Sequence, residues 1–374
     1  MKVVSVFLTY DYSLETWEKN GTLNRELKIF KEIAKSENIK FKFISYDKGY
    51  VLKNSDLQQY IEIVSIYKNL KYFNNKYLRF IYSFYIPFKI KEEVEKSDLI
   101  FQNQLDGSWI SMITKKLTKK PLMIRTGYDA YQFSINENKN KLFVYFYRVL
   151  TKLSLKYSDL YTVTSLSDKN YLENNFKNAK VKITRNWSGL SKKNTENKRY
   201  SNKILCVGRL VEQKNYIFLI NSLSKYKKSI SIDIVGEGPE KNKIKNLSKE
   251  KNVEVNYLGK INHDNLSDIY QKYKLYAIPS KFEGNPKTLL EAMGNGCIVL
   301  ASNIENHSEI IDNSINGFLF DLTEKDFFKT LDKFYSLNNL EVIDMQKNSY
   351  ETIDLKYSFQ VIKNEMIKDI NNII

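Results

Sequence analysis

Two carboxylates frame the stretch of this sequence whose residue types best suit chemistry. Glu283 lies in a polar loop and Glu291 in the helix predicted to follow it, with seven residues between them. A helix that opens beside the end of a strand offers unpaired N–H groups and the positive end of the helix dipole, which suit a phosphate. Carboxylates placed there would accept hydrogen bonds from sugar hydroxyls. The alternative is a capped helix with two surface glutamates, which capping preferences alone make about as frequent.

The sequence around these glutamates predicts a strand, a loop, a helix and a second strand. Residues 277–280 close a buried strand, and Asn285 followed by Pro286 favours Asn285 as N-cap and Pro286 as the first helical residue. The glycine-containing segment 294–296 ends the helix. Residues 297–301 are apolar and predict the next strand. Glu283 and the helix start therefore meet at a strand end.

A second strand-loop-helix unit earlier in the chain carries two bases. A predicted strand at 203–207 runs into Arg209 and Lys214, and a helix follows at 217–223. Arginine can bind phosphate oxygens in pairs, and lysine supplies a compact charge. The alternative is two solvated bases among the 59 lysines and arginines, which numbers alone would favour. Their place at a strand end and helix entry favours the functional interpretation.

The residues of both stretches match a known sequence signature in type and spacing. In order along the chain its residues are Gly208-Arg209, Lys214-Asn215, Phe282-Glu283-Gly284-Asn285-Pro286, Glu291-Ala292-Met293, Gly296 and 299–302. This pattern resembles the donor site of the retaining GT-B glycosyltransferases, and the nearest family is glycosyltransferase family 4. Cys297 stands where that family usually has proline, a change that touches no polar donor contact.

The resemblance implies an enzyme that transfers a sugar from a nucleotide sugar to an acceptor hydroxyl with retention of configuration. It implies no cofactor and no metal, because bases would stabilise the leaving diphosphate and the sequence has no Asp-x-Asp motif. The catalytic residues that it implies are Arg209, Lys214 and Glu283. The donor contacts that it implies are Gly21, Gly208, Gly284, Asn285, Pro286, Lys287, Thr288 and Glu291.

Roles within this set also follow from the resemblance. Arg209 and Lys214 would hold the diphosphate, Glu283 would orient the sugar hydroxyls and Glu291 the ribose. Gly21 is the one glycine of the predicted first loop at 11–21, which the family makes glycine-rich. No general base is evident, which agrees with a mechanism in which the leaving phosphate accepts the proton.

The acceptor side is less well marked in the sequence. A predicted strand ends near Arg125 and Asp129, and open α/β sheets bind ligands at such strand ends. The family often carries a histidine in this domain, whereas this chain has only His263 and His307, far downstream. Arg125 and Asp129 are therefore predicted acceptor contacts. The alternative is that both are loop or salt-bridge residues.

Strands and helices alternate along the chain, which favours parallel sheets with right-handed crossovers. The resemblance implies an α/β protein of the GT-B class: two Rossmann-like domains facing each other across a cleft, with the C-terminal helix crossing back to the N-terminal domain. The acceptor-binding domain is predicted at 1–190, with 356–374 packing on it. A linker at 191–200 leads to the nucleotide-sugar-binding domain at 201–355. The first loop has no G-x-G-x-x-G, so no dinucleotide fingerprint is present.

Composition narrows the partners and the location. The net charge of +16 suits nucleotide diphosphates, acidic lipids or nucleic acid. No zinc-ligand spacing, RNA-binding aromatic motif or helix-turn-helix signal is present, so nucleic acid is not expected. Cys206 and Cys297 lie in apolar runs, which predicts core residues of a reduced, cytoplasmic protein. No signal peptide or transmembrane run is expected. The expected partners are a nucleotide-diphosphate sugar and a glycan or lipid-linked acceptor.

Residues 60–92 combine many aromatic side chains with lysines and an arginine. Such a mixture suits helices that lie in a membrane interface, which would place the protein at an acidic membrane, on the inner face of the plasma membrane. The alternative is one or two ordinary helices that pack on the core and expose their lysines.

Two other functions are compatible with parts of this pattern. A GT-B sugar-nucleotide epimerase shares the architecture, but it would be expected to have more carboxylates and histidines in the N-terminal half. A non-catalytic membrane- or glycan-binding protein would not need Arg209, Lys214, Glu283 and Glu291 together. The favoured prediction is a glycosyltransferase of bacterial surface polysaccharide synthesis, such as capsule, O-antigen or lipopolysaccharide.

Overall fold

The chain divides into two compact units, each built on one parallel sheet. The computed structural model describes residues 1–189 and 199–374, and most of the predicted linker lies outside the described residues. The first unit comprises Met1–Arg185 with Lys363–Ile374, and the second comprises Asn186–Ile362. The fold class predicted from the sequence, α/β with two Rossmann-like domains, is confirmed at the level of each unit.

The first unit contains a seven-stranded sheet in the order β3-β2-β1-β4-β5-β6-β7, with every pair parallel. Its strands are β1 (Lys2–Phe7), β2 (Ile39–Ser45), β3 (Ile61–Ser65), β4 (Leu99–Asn103), β5 (Leu122–Arg125), β6 (Leu160–Val163) and β7 (Val181–Ile183). Its helices are α1 (Leu14–Lys19), α2 (Leu23–Glu37), α3 (Ser55–Gln58), α4 (Ile66–Asn69), α5 (Lys76–Ser83), α6 (Ile86–Glu95), α7 (Ser108–Thr118), α8 (Ala130–Asn136), α9 (Lys141–Tyr157) and α10 (Leu166–Asn175).

Two elements of this unit differ from the sequence prediction. The predicted loop at 11–21 contains helix α1, whose N-cap Ser13 accepts a hydrogen bond from the Thr16 N–H. The segment 60–92 begins with the edge strand β3 rather than a helix. Its β-branched residues suit a strand, and Glu62 on β3 pairs with Lys40 on β2 at 2.8 Å. Pairing with β2 therefore outweighs the helical pattern that follows.

The second unit contains a six-stranded parallel sheet in the order β10-β9-β8-β11-β12-β13. Its strands are β8 (Tyr200–Val207), β9 (Ser231–Val235), β10 (Val255–Gly259), β11 (Tyr273–Ile278), β12 (Ile298–Ser302) and β13 (Phe318–Phe320). Its helices are α11 (Tyr216–Leu223), α12 (Lys241–Glu250), α13 (Leu266–Tyr270), α14 (Lys287–Gly294), α15 (Glu305–Ser308), α16 (Glu324–Ser336), α17 (Asn339–Thr352) and the start of α18 (Phe359–Asn371). Short 3₁₀ helices span Glu212–Lys214 and His263–Asn265, and a π-helix spans Ile353–Tyr357.

This sheet is buried on both faces, as its parallel topology requires. Along β8, Ile204 and Cys206 belong to one apolar cluster, whereas the alternating Leu205 and Val207 belong to the other. Both cysteines are fully buried and free, with Cys297 in the second cluster. Burial raises the pKa of the Cys297 thiol to about 12. The prediction that the cysteines are core residues is confirmed.

The unit boundaries fall a few residues from the predicted ones. The first unit ends at Arg185 rather than 190, because the Ser188 N–H donates to the Tyr357 carbonyl inside the second unit. Arg199 and Tyr200, predicted as linker, also belong to the second unit. The Arg199 guanidinium donates to the carbonyls of Tyr273 and Asn295 at 3.1 and 2.8 Å, and Tyr200 opens β8.

Helix α18 starts in the second unit, and its residues from Lys363 onward belong to the first unit. The segment that returns to the first unit was predicted to start at 356, so it starts seven residues later. There Asp369 is fully buried. It accepts a hydrogen bond from the Thr184 hydroxyl at 2.8 Å and pairs with Lys182 on β7. A buried carboxylate with two partners fixes the end of the chain on this sheet. Within 1–189 and 199–374, no helix has both the length and the apolar character needed to cross a bilayer.

Candidate functional site

The candidate site of the second unit lies where its strands end. Gly208 follows β8, Gly236 follows β9 and Ser280 follows β11 by one residue. The carboxyl ends of parallel strands share one edge of a sheet, and ligands of open α/β sheets bind there. The predicted site residues from Gly208 to Lys214 and from Glu283 to Glu291 therefore lie in the segments that follow β8 and β11, at the same edge.

The centre of this site is an ion pair between two residues predicted as catalytic. Lys214 Nζ lies 2.5 Å from Glu283 Oε1. The Ser280 hydroxyl donates to the same oxygen at 2.7 Å. The Lys214 and Glu283 side chains are only 15% and 8% exposed, so solvent screens the pair weakly. The structure thus brings together two residues that lie far apart in the sequence.

Backbone contacts hold the two loops of this pair together. The Gln213 side-chain amide donates to the Phe282 carbonyl at 2.8 Å, and the Lys281 N–H donates to the Gln213 carbonyl at 2.9 Å. Outside them, Lys281 Nζ pairs with Glu212 at 2.7 Å in an exposed position. The short 3₁₀ helix Glu212–Lys214 is therefore docked against the loop that carries Glu283.

A chain of polar side chains behind Glu283 was not predicted from the sequence. The Ser302 hydroxyl, at the end of β12, donates to the Ser280 carbonyl at 2.5 Å. The Nδ1 atom of the fully buried His307 lies 2.9 Å from the Ser302 carbonyl. Burial lowers the pKa of His307 to about 4, so the ring is neutral at pH 7 and Nδ1 donates. Its Nε2 has no partner among the described residues. Only the Ser-x-x-Glu spacing could have indicated the Ser280 contact.

Arg209 differs from Lys214 in having no counter-charge in the described part of the chain. Its side chain is exposed, and it makes no hydrogen bond or ion pair with any residue of 1–189 or 199–374. Gly208 beside it allows the close passage of Lys214, because a Cβ at Gly208 would lie 3.3 Å from Lys214 Cε and 3.1 Å from the Tyr216 hydroxyl. The loop after β8 therefore presents one paired cation, Lys214, and one exposed cation, Arg209, that no described carboxylate pairs with.

The Gly236-Glu237-Gly238-Pro239 turn serves packing between loops. A Cβ on Gly236, whose φ is +143°, would lie 2.0 Å from the Gly208 carbonyl oxygen. A Cβ on Gly238 would lie 2.3 Å from the Leu210 carbonyl oxygen. The Leu210 N–H donates to the Glu237 carbonyl at 3.0 Å. The glycines are needed for this close approach, which keeps the loop of Arg209 in place.

Helix α14 starts one residue later than predicted. Pro286, expected as the first helical residue, is the N-cap with an extended ψ of 108°. Asn285, expected as the N-cap, instead uses its side-chain oxygen to accept from the Asn186 N–H at 3.3 Å. The Asn186 side chain donates to the Asn285 carbonyl at 2.7 Å. The predicted capping of α14 by Asn285 is therefore wrong, since Asn186 occupies that side chain.

The first turn of α14 carries the remaining predicted donor contacts. The N–H groups of Leu289 and Leu290 bond to the Pro286 carbonyl, which closes the first turn of the helix. The Lys287 ammonium lies 4.9 Å from the centroid of the Trp187 ring. The Thr288 hydroxyl accepts from the Tyr276 hydroxyl at 3.0 Å. The helix start is thus rigidly held, and Gly284 beside it is buried.

Glu291 is deeply enclosed. It is fully buried, so the alternative of two surface glutamates is wrong. Its Oε1 lies 2.9 Å from His263 Nε2, and its Oε2 accepts from the Tyr270 hydroxyl at 3.2 Å. A Cβ on Gly189 would lie 2.9 Å from His263 Cε1 and 3.5 Å from Glu291 Oε1. His263 and Tyr270 were not predicted as site residues, because only the fold places them beside Glu291.

The predicted acceptor residues of the first unit are both buried. Arg125 ends β5 and donates to the Arg185 carbonyl at 3.3 Å, and burial lowers its pKa to about 10. Asp129 is the N-cap of α8 and accepts from the Gln132 N–H at 2.6 Å. Burial raises the pKa of Asp129 to about 6. The interpretation of both as structural residues gains support from these contacts.

Gly21 also has a structural explanation. It follows α1 with a φ of +66°, a conformation that glycine adopts without cost. Its N–H donates to the Glu18 carbonyl at 2.9 Å and so closes the helix. The donor contact expected of Gly21 remains a prediction.

Comparisons with known proteins agree with this arrangement. Residues 190–352 match the family described as glycosyl transferases group 1. The chain is 30% identical over 261 residues to the O-antigen biosynthesis glycosyltransferase WbnH of Escherichia coli, which covers 70% of this chain and 73% of WbnH. It is 34% identical over 128 residues to the GtfA subunit of a UDP-N-acetylglucosamine–peptide N-acetylglucosaminyltransferase of Streptococcus agalactiae. That match covers 33% of this chain and only 25% of GtfA.

A solved structure shares the fold over the whole chain. Anabaena HepE in complex with UDP-glucose superposes with a TM-score of 0.74 and 14% identity, covering 99% of both chains. This similarity concerns the fold, which is that of the GT-B glycosyltransferases. The match to WbnH, together with the family match at residues 190–352, shows that this chain belongs to the group 1 glycosyltransferases.

Proposed function

We propose that this protein transfers a sugar from a nucleoside-diphosphate sugar to an acceptor hydroxyl with retention of anomeric configuration and without a metal ion. The observation that carries the proposal is the pairing of Lys214 with Glu283 next to the exposed Arg209, which has no counter-charge among the described residues. A diphosphate needs positive charge, and a sugar needs fixed hydrogen-bond acceptors. The edge of the second sheet offers both.

The charge arrangement suits a reaction in which negative charge grows on the leaving diphosphate. The bond between the anomeric carbon and the diphosphate oxygen breaks, and the acceptor oxygen bonds to the same face of that carbon. The acceptor proton passes to the leaving phosphate oxygen, so no separate base is needed. Arg209, Lys214 and the first N–H groups of α14 would stabilise this charge, as donors fixed in advance do most effectively.

The ion pair with Lys214 fixes the Glu283 carboxylate in the orientation that we propose for sugar binding. Lys214 and the Ser280 hydroxyl both contact Oε1, so this oxygen is occupied and its orientation is fixed. Glu283 Oε2 then remains as the acceptor for a sugar hydroxyl. Glu291 is predicted to bind the ribose. His263 and Tyr270, which contact its two carboxylate oxygens, would then lie next to that contact.

The relatives support a proposal for the class of donor and acceptor. HepE was solved with UDP-glucose, and the name of GtfA specifies UDP-N-acetylglucosamine, which favours a uridine diphosphate sugar. WbnH acts in O-antigen biosynthesis, which favours a glycan or lipid-linked acceptor of bacterial surface polysaccharide synthesis. The hexosyl class of the transferred group rests on the same relatives.

The first test is thermal unfolding with UDP, GDP, ADP or CDP in the presence of EDTA. A ligand at about 100 times its Kd adds roughly 2.7 kcal/mol to the free energy of unfolding, which should raise the Tm by about 5 °C or more. We expect a shift with UDP that Arg209→Ala abolishes. Lys249→Ala, an exposed base in the last turn of α12, is the matched control and should keep the shift.

Transfer itself is tested with UDP-sugars and NMR analysis of the product. An anomeric configuration equal to that of the donor supports retention, and activity in EDTA supports metal independence. No shift with any nucleotide, or a shift that survives Arg209→Ala unchanged, would contradict the proposed donor site. Inversion of configuration would contradict the reaction proposed while leaving the binding site in place.

A further inference from the structure

Helix α5 and the start of α6 expose large apolar side chains on the surface of the first unit. Ser83 is the only buried residue of α5. Tyr77, Ile81 and Phe84 are 69%, 67% and 43% exposed, and their spacing of four and three residues places them on one side of the helix. Phe88 on α6 adds a further ring that is 57% exposed. A contiguous exposed apolar surface of this kind marks an interaction site.

The N-terminal half of α9 also exposes large apolar side chains. Residues 141–149 include no buried residue, although α9 is one of the longest helices of the chain. Leu142, Tyr145 and Val149 are 83%, 64% and 37% exposed and lie three and four residues apart, on one side of the helix. Only Leu150, Thr151 and Ser154 are buried along α9.

Helices α5 and α9 contact each other through two aromatic rings. The ring of Phe80 on α5 lies 6.0 Å from that of Phe146 on α9, measured between centroids. Both rings also pack on Trp109 of α7, at 5.3 and 6.2 Å. The exposed side chains named above therefore flank one shared aromatic contact. We call their sum the aromatic face: Tyr77, Ile81, Phe84, Phe88, Leu142, Tyr145 and Val149.

Basic side chains accompany the aromatic face on both helices. Helix α9 contains Lys141, Arg148, Lys152 and Lys156 and no acidic residue. Within the described part of the chain, no carboxylate lies within ion-pair distance of Lys141, Arg148 or Lys152. On α5, the Lys76 ammonium lies 5.1 Å from the Tyr77 ring centroid. Long basic side chains can cover an apolar surface with their stems while their charges reach outward to anions.

A groove beside α9 extends this positive surface. It has a volume of about 680 Å³, and the described residues of its walls include four bases, Arg148, Lys152, Lys156 and Lys177, but no carboxylate. Val149, Leu155 and Phe176 provide apolar wall. Bases above apolar side chains match a phosphate headgroup above an acyl chain.

We propose that the aromatic face docks the protein on the surface of an anionic phospholipid bilayer. Aromatic and aliphatic side chains would enter the headgroup region, while the bases of α9 contact lipid phosphates, as in interfacial helices. A second copy of this chain is a poorer occupant, since a symmetric contact would bring the same bases together. The proposal rests on the first unit alone and does not depend on the proposed donor site.

The test is co-sedimentation of the full chain with vesicles of phosphatidylcholine alone or with phosphatidylglycerol added. We expect binding only to the anionic vesicles, falling as salt screens the bases. Ile81→Ser with Leu142→Ser should lower the partition coefficient about tenfold or more, since two exposed apolar side chains are removed. Lys141→Glu with Lys152→Glu should lower it at least about 20-fold, because each base contributes about fivefold.

The matched control is Leu340→Ser with Leu355→Ser, two leucines of the second unit that are each 73% exposed. This variant should bind vesicles like the wild type. All variants should keep the thermal shift with UDP, which separates loss of docking from loss of the donor site. Equal binding to neutral vesicles, or unchanged binding of the Ile81 and Leu142 variant, would overturn the proposal. So would a lipid-free dimer that the Leu142 change dissociates, because the face would then bind a second copy.

Discussion

Replacement of Lys214 by methionine separates the structural from the catalytic role of the central ion pair. Methionine keeps the unbranched shape of the side chain but leaves the Glu283 carboxylate buried without its cation. We expect Lys214→Met to destabilise the second unit and to abolish most activity. Addition of Glu283→Gln should restore stability but not activity, because the buried charge is removed while the cation stays absent.

The magnitude follows from the geometry of the pair. At 2.5 Å and an effective dielectric constant of 20, the direct attraction is about 7 kcal/mol before desolvation is subtracted. Breaking a buried pair by removing one partner costs about 3–5 kcal/mol. Ser280 still donates to Glu283, so we expect the lower end, about 3 kcal/mol. For a unit of this size that is a fall in Tm of about 6–12 °C.

The assay combines calorimetry with transfer kinetics on the two single variants and the double variant. The double variant should recover to within about 1 kcal/mol of the wild type, since neutral replacement of a buried pair is well tolerated. Its kcat should stay about 10²–10³-fold low, the usual effect of losing one group that stabilises developing charge. Lys281→Met is the matched control: its pair with Glu212 is exposed and should be worth less than about 1 kcal/mol.

Two results would refute this reasoning. If Lys214→Met were as stable as Lys281→Met, the pair would not be buried as the structure has it. If the double variant regained activity together with stability, Lys214 would act only through the fold, and the assignment of Lys214 to the diphosphate would be wrong.

The other predictions concern the groups around this pair. Ser280→Ala removes a hydrogen bond to Glu283 and should lower kcat about tenfold, with recovery in Ser280→Thr; an unchanged kcat would count against the positioning of Glu283. His263→Ala leaves Glu291 with one fewer buried partner and should raise the donor KM about tenfold or more, by steady-state kinetics. An unaltered KM would separate Glu291 from donor binding. Burial lowers the pKa of His307 to about 4 from 6.5, so the unfolded chain binds more protons between these values. Stability should fall by about 3 kcal/mol as pH drops from 6.5 to 4, and by clearly less in His307→Gln, measured by urea unfolding at stepped pH.

The fold was largely predictable because the same hydrophobic patterns recur along the chain. Each buried parallel strand is a short apolar run, and each helix shows its own periodicity, so the helix predicted at 217–223 is found as α11 (Tyr216–Leu223). The strand β3 was missed because its five residues adjoin a long helical pattern, and it is fixed only by pairing with β2. Helix α1 was missed since one and a half turns give too little periodicity to recognise.

The site residues were predictable where a short segment of sequence identifies them. They were not predictable where their role depends on contacts with residues far away in the chain. Arg209 and Glu283 were found because each follows a strand end in a recognisable segment. One partner of Glu291 is His263, 28 residues earlier, and nothing local distinguishes that histidine from a surface residue. Asn285 was assigned a cap that its side chain does not form, because Asn186 reaches it from a remote part of the chain.

Arg209 and Lys214 meet two different requirements of a diphosphate-binding site. A buried base is costly unless it is paired, but a paired base offers less net charge to a ligand. Here Lys214 is buried and paired with Glu283, so its position is fixed before the donor arrives. Arg209 is exposed and has no counter-charge among the described residues, so it brings its full charge to the diphosphate at little cost to folding. It follows that Arg209→Ala should weaken transfer without lowering the Tm of the free protein, whereas Lys214→Met should lower both. The same loss of activity would then have two origins that calorimetry alone can tell apart.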